Sequence, residues 1–206
     1  MSLTLKTGGN GNGKFQIAPA GNHLGICYQM IDLGQQLVSF KEDGVIKEKL
    51  QPKVLIGFEL PNETMEDGRP FIVSRRFTSS LAKTSALRPV LESWRGRPFS
   101  AAEEAGFELK NVLGKPCMVN VVHATPKETT YANISSITPV PKGMAVPEMH
   151  NEIQYFEFGD QGFDEEAFNV LSDGLKNIIY RSKDYQMLTS NNTLASAEEL
   201  SDDIPF

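Results

Sequence analysis

The sequence predicts a mainly β protein: a five-stranded barrel with a helix between the third and fourth strands, then a helical extension and an acidic tail. Three observations predict this class. Apolar, β-branched runs alternate with turn residues, a helical apolar stripe interrupts them, and two more strand-like runs follow. The length of 206 residues suits one good-sized domain with extensions, or two small domains.

The first three strands are predicted after a glycine-containing N-terminal arm. The arm, residues 1–21, shows little periodicity and is expected to be flexible. An apolar run over 23–33 continues to residue 40, and a turn-like stretch over 41–49 follows it. The run at 53–60 alternates between two faces, as a strand does. The third run, at 70–78, mixes phenylalanines with arginines.

Helical patterns then interrupt the strands. An apolar stripe recurs at helical spacing at Leu87, Val90, Leu91 and Trp94. Pro89 fits only a first turn or a kink, so a helix within 81–95 is expected to be broken there. Ser100 and Glu103 have the capping-box spacing of a second, short helix, which Gly106 would end.

Two more strands are predicted at 115–124 and 130–140. Three strands, a helix and two strands is the order of an OB-fold, a small barrel that commonly binds oligonucleotides or oligosaccharides. Beyond it, the apolar stripe of 164–183 and its flanking charges predict a C-terminal helix. The predicted divisions are an arm (1–21), an OB-fold domain (22–145), a helical extension (146–183) and a flexible acidic tail (184–206).

Charge is distributed unevenly along the chain. The net charge of −6 divides into +3 over residues 1–150 and −9 over 151–206. The segment 69–97 carries seven lysines and arginines and a single acid, Glu92. Such a segment either meets an anionic polymer or forms a solvated face, and charge alone leaves both interpretations open.

Several functional classes are disfavoured. Cys27 and Cys117 lie in apolar runs and are expected to be buried thiols, and the three histidines lack metal-ligand spacing, so we expect no metal and no cofactor. No run could span a bilayer, and no signal segment is visible, so we expect a cytoplasmic protein without a membrane partner. Asp32 and Glu59 are too few for metal-dependent nuclease chemistry, and His123 has no local nucleophile, so no enzyme is expected.

Binding of single-stranded nucleic acid is better supported, because cations and aromatic rings occur together in 70–78 and in 94–99. The candidate DNA-binding residues are Tyr28, Lys53, Phe58, Arg75, Arg76, Phe77, Trp94, Arg95, Arg97, Lys115 and Tyr131.

A core position is the competing interpretation for Phe58, for Trp94 and for one of the phenylalanines of the third strand. Arg75 and Arg76 point to opposite faces of that strand, so at most one of them faces a groove, and Arg75 is on the aromatic side. Arg95 and Arg97 are the favoured phosphate contacts, since burying two unpaired arginines is costly. The environment of Tyr28 and Tyr131 stays open.

The last five residues carry a resemblance. Asp202, Asp203, Ile204, Pro205 and Phe206 follow a polar linker and a predicted basic barrel. This arrangement resembles the single-stranded DNA-binding proteins of bacteria and their phages, whose C-terminal interaction motif has nearly the same sequence as these five residues. The stretch "SLAKTSALRPVLESWRGRPFSAAEEAGFELKNVLGKPCMVNVVH" is similar to phage-encoded members, and the likeness covers about 22–143 and the tail.

The resemblance implies a protein that coats exposed single strands in the bacterial cytoplasm during DNA replication, recombination and repair. Its tail would recruit partner enzymes, with Phe206 in an apolar pocket and Asp202 and Asp203 speeding association. The short linker and the extra helical segment put a tetramer in doubt and leave a monomer or a homodimer as alternatives. Two alternatives remain: a strand-annealing or recombination mediator protein, and an OB-fold adaptor that binds only proteins.

Overall fold

The structure is a computed structural model that describes residues 16–126, 128–159 and 162–190. Five antiparallel strands form one sheet in the order β3-β2-β1-β4-β5, and a sixth strand runs parallel to β1. The strands are β1 (Gly21–Glu42), β2 (Val45–Thr64), β3 (Pro70–Thr78), β4 (Pro116–Ala124), β5 (Tyr131–Thr138) and β6 (Gln154–Phe156). The mainly β class is confirmed. The predicted closed barrel is not shown, because β3 and β5 remain edge strands.

Short helices follow the third and the sixth strand. They are α1 (Leu87–Arg95), α2 (Ala101–Ala105), a 3₁₀ turn (Leu109–Val112), α3 (Glu165–Asn169) and α4 (Asp173–Tyr180), and residues 183–190 are also helical. A small hairpin, β7 (Phe158–Gly159) and β8 (Gly162–Phe163), precedes α3. Within the described ranges no helix is long and apolar enough to cross a membrane.

The first two strands extend beyond the core as a two-stranded ribbon over residues 35–52. We call this ribbon the arm from here on; it is distinct from the N-terminal arm of residues 1–21. Asp43 and Gly44 form its two-residue turn with φ values of 50° and 81°. Hairpins favour this geometry because it matches the twist of the strands, and an Asp-Gly pair adopts it readily. The stretch 41–49, predicted as turn-like, is therefore strand on both sides of this turn. Most of the arm is exposed.

Two apolar cores lie on the two faces of β1 and β2. The first gathers the inward residues of β1 to β5 and of α1, with Phe58 fully buried at its centre. The second packs Ile31 and Leu55, on the opposite face, against Phe156 and Ile179 of the C-terminal extension. Because both faces are covered, β2 is buried continuously from residue 54 to residue 61.

The helix predictions hold in part. Pro89 is the third residue of α1, which therefore starts at Leu87 without a kink, and the Ser100–Glu103 capping box is present. The prediction of a single C-terminal helix is wrong, because residues 170–172 are not helical and separate α3 from α4. The first residues of α4, Asp173 and Gly174, both have low helix propensity. Residues 184–190, predicted to begin the flexible tail, are helical. The proposed interaction tip lies outside the described residues, as do residues 1–15.

Both cysteines are fully buried and unpaired, as predicted. Burial raises the pKa of the Cys27 thiol to about 12 and that of Cys117 well above its usual value. We therefore expect neither thiol to react with a disulfide reagent in the native protein at pH 8, and both to react in denaturant. The extent of reaction is measured from the coloured thiolate that the disulfide reagent releases when it labels a cysteine. Rapid labelling of the native protein would mean that the pairing of β1 with β4 opens readily.

Candidate nucleic-acid interface

Most of the predicted stacking aromatics lie in the interior. Phe58 and Trp94 meet edge to face with their ring centroids 5.4 Å apart, and Trp94 Nε1 donates to the Pro116 carbonyl at 2.9 Å. Phe77 and Tyr28 are also buried. A base can stack only on an exposed ring face. In this conformation these four residues are core residues, which was the competing interpretation for Phe58 and Trp94.

Intramolecular carboxylates neutralise much of the basic segment 69–97. The pairs are Arg69 with Asp67, Arg88 with Glu92 and Glu104, and both Arg95 and Arg97 with Glu103. Most of these acids lie just outside the ends of the segment, so a count within it misses them. The seven charges do not form one open patch.

Lys53, Arg75 and Arg76 make no ion pair among the described residues. Lys53 is opposite Thr78 in the β2–β3 register, and its Nζ donates to Thr78 Oγ1 at 3.0 Å and to Gln51 Oε1 at 2.8 Å. Partial burial and the neighbouring charge of Lys49 lower the pKa of Lys53. Side chains alternate along a strand, so Arg76 lies on the same face of the sheet as Thr78 and Lys53. The C-terminal extension covers Leu55 on this face, but Arg76 itself is exposed.

Arg75 points to the other side of β3. Its guanidinium lies 5.0 Å from the centroid of the Phe77 ring, and Nη1 donates to the Ile134 carbonyl of β5 at 3.3 Å. The aromatic side of this strand is therefore the core side. Arg75 links the two edge strands by a side chain, and Arg76 is the arginine that faces solvent.

A groove of about 330 Å³ lies between β3 and β5. Ile72 and Ser74 line one wall, and Tyr131 and Asn133 line the other. The Tyr131 side chain is half exposed, at 51%. We call the outward residues of this region the sheet strip: Lys53, Thr78, Arg76, Ser74, Ile72 and Tyr131. Of the predicted site residues, the strip brings together Lys53, Arg76 and Tyr131.

The row of positively charged side chains in the sheet strip continues along the arm. Lys47, Lys49 and Lys53 share one face of β2 by alternation, and Lys49 Nζ lies 4.9 Å from the centroid of the Phe40 ring. Lys47 is paired with Glu42. Lys49 was missed because its stretch, 41–49, was interpreted as a turn, and Phe40 was missed although it ends the apolar run predicted as the first strand. The alternation of lysines at 47, 49 and 53 was the signal that could have found Lys49.

The remaining predicted cations lie elsewhere. Arg95, Arg97 and Lys115 line a separate pocket beside α1, and Lys115 is exposed. Among the described residues, no three histidine, cysteine or acidic side chains are placed to hold a metal ion. In comparisons with known proteins, no family model and no curated protein sequence matches the chain.

Proposed function

We propose that this protein binds single-stranded DNA without sequence specificity and that the sheet strip is its contact surface. One observation carries the proposal: Lys53 and the exposed Arg76 share one face at the β3 edge of the sheet, neither has a carboxylate partner among the described residues, and a groove with an exposed tyrosine lies beside them. A single strand needs cations along its backbone and ring faces for its bases, and each stacked base contributes roughly 1–3 kcal/mol.

The proposal includes an OB-type barrel, closed at the β3–β5 groove by side chains. On the core side of β3, Arg75 donates to the Ile134 carbonyl of β5, and Ser93 Oγ of α1 donates to the Ile137 carbonyl of β5 at 2.8 Å. OB-folds bind oligonucleotides on the face of their second and third strands and on the loop between the first and second. The sheet strip and the lysine face of the arm occupy those two positions.

The biological role follows from the resemblance noted above. The protein would coat single strands in phage or bacterial DNA replication, recombination and repair, and its last five residues, 202–206, would recruit partner proteins. These residues lie outside the described ranges, so this part of the proposal rests on the sequence alone. Removing residues 202–206 should abolish partner binding and leave the contact between DNA and the sheet strip in place.

Fluorescence anisotropy of a labelled oligo-dT tests the proposal. We expect salt-sensitive binding to the single strand and little binding to a duplex. The double variant Lys53→Gln/Arg76→Gln should weaken binding and reduce the salt slope by about 1.4, because each lost contact to a single strand removes roughly 0.7. Tyr131→Ala should lose roughly 1–3 kcal/mol of binding without loss of stability, since its ring is half exposed.

Arg181→Gln is the matched control, because Arg181 is exposed at the end of α4 and makes no ion pair among the described residues. It should bind DNA as the unmodified protein does. Absence of single-strand binding at low salt would refute the proposal and favour a protein adaptor. Large rings by light scattering would favour strand annealing. An unchanged double variant would place the contact surface away from the sheet strip.

A further inference from the structure

A second positively charged site lies beside α1, away from the sheet strip. Its cavity measures about 440 Å³, and its polar lining consists of Arg95, Arg97, Glu103, Asn111 and Lys115. We call it the α1 pocket. Three cations face a single carboxylate there, so the lining carries a net charge of +2, the complement of an anion.

Arg95 is held rigidly in this pocket and is incompletely paired. Its guanidinium lies 4.5 Å from the centroid of the Phe99 ring and 5.1 Å from that of Phe107, and Nη2 donates to Glu103. Nη1 is buried and has no acceptor among the described residues. Glu103 therefore does not satisfy the whole Arg95 guanidinium, and the positive charge of Arg95 stays incompletely balanced.

The other charged groups leave the positive excess in place. Glu103 accepts from Arg97 Nη2 at 2.7 Å, from Arg97 Nη1 at 2.9 Å and from the Ser100 backbone N–H at 2.9 Å. The Arg97 guanidinium, with Ser100, holds the pKa of Glu103 well below its usual value, so this carboxylate stays ionised. Lys115 has no ion pair among the described residues, and Asn111 adds an amide donor at the pocket wall.

We propose that the α1 pocket binds a phosphate group, with Arg97 and Lys115 on its oxygens and the Arg95 guanidinium adding its positive charge from the pocket wall. The planar fork of arginine matches a tetrahedral oxyanion, and charge-assisted hydrogen bonds of this kind are strong. A phosphate brings two negative charges or one, which the lining charge of +2 accommodates. The proposal is independent of DNA binding at the sheet strip, because a nucleotide or a nucleic-acid backbone could supply the phosphate.

Titration of the full-length protein with inorganic phosphate and with thymidine monophosphate tests this. Trp94, the only tryptophan of the chain, lines the pocket, so its emission reports occupancy. We expect saturable binding of both probes at constant ionic strength. Lys115→Gln and Arg97→Gln should each weaken it about tenfold, the loss of one charge-assisted hydrogen bond. Glu103→Gln should tighten it, because this change removes the competing carboxylate.

Arg69→Gln is the matched control, since Arg69 is exposed and pairs with Asp67 outside the pocket; it should leave phosphate binding unchanged. Oligo-dT added to the phosphate-loaded protein separates the two sources: displacement of phosphate identifies a nucleic-acid backbone, and persistence identifies a free nucleotide. A Trp94 response that chloride reproduces, or that Lys115→Gln leaves intact, would overturn the proposal. If the Lys53 and Arg76 variants lose DNA and keep phosphate, the two sites are separate.

Discussion

Replacing Gly34 by alanine is expected to detach the C-terminal extension from β1 while the sheet stays folded. Gly34 has a φ of 68°, which costs an L-residue about 1 kcal/mol. Its added Cβ would also lie 2.8 Å from Asp184 Oδ2, 2.8 Å from Ser182 Cβ and 2.9 Å from Phe158 Cε2. Real contacts of this kind are longer than 3.0 Å, so the extension must move away. The second core then loses its packing against β1.

Gly44→Ala is the matched control for this change. Gly44 also has a positive φ, 81°, but a Cβ there meets nothing within 4 Å. It should lose only the conformational term of about 1 kcal/mol, whereas Gly34→Ala should lose several kcal/mol. Urea unfolding gives both values, and hydrogen exchange should show faster exchange over 154–190 in Gly34→Ala alone. Equal losses in the two variants would mean that the extension does not pack tightly at Gly34.

Local sequence patterns predicted much of the fold. Alternation over 53–60 and 70–78, the helical stripe ending at Trp94 and the capping box at Ser100 each depend on neighbours within a few residues. A single sequence is enough to detect such signals, because periodicity and helix caps are local properties. The core interpretation of Phe58 also came from this alternation, because Phe58 shares a strand face with the apolar Val54 and Ile56. The structure buries all three side chains.

The candidate site was harder to predict, because its properties depend on contacts between distant parts of the chain. The exposure of Tyr131 depends on β3, about sixty residues earlier, and the pairing of Arg88 depends on Glu104. Charge counts along the sequence carry no information about such pairs. The two faces of β1 and β2 posed a similar problem, because residues such as Leu55 are buried by an extension that starts near residue 148.

Glu59 shows how that extension is attached. Its carboxylate is fully buried, yet it accepts four hydrogen bonds from two residues that lead into β6. His150 donates its backbone N–H at 2.8 Å and lies with Nδ1 at 3.1 Å, and Asn151 donates its backbone N–H at 2.7 Å and its amide at 2.6 Å. Burial alone would raise the pKa of Glu59, but these hydrogen bonds outweigh it, and the pKa is lowered.

We expect Glu59→Ala to lower the free energy of unfolding by about 3 kcal/mol and Glu59→Gln by somewhat less. The alanine leaves four donors without their shared acceptor, each worth roughly 1–3 kcal/mol, but those donors regain water when the segment at 148–151 lifts away. Rehydration therefore limits the loss to the free energy with which this segment docks. Urea unfolding measures it, with Glu66→Gln, an exposed acid two residues beyond β2, as the control.

The same carboxylate should make docking depend on pH. Because the folded pKa of Glu59 is lowered, its stabilisation is present above the usual carboxyl value of 4.5 and is lost as the pH falls through the folded value. Asp32 acts in the opposite sense, since burial raises its pKa. The difference between the unmodified protein and Glu59→Gln isolates the first effect: it should be largest at pH 7 and shrink towards pH 3. A constant difference would mean that charge on Glu59 contributes nothing to docking.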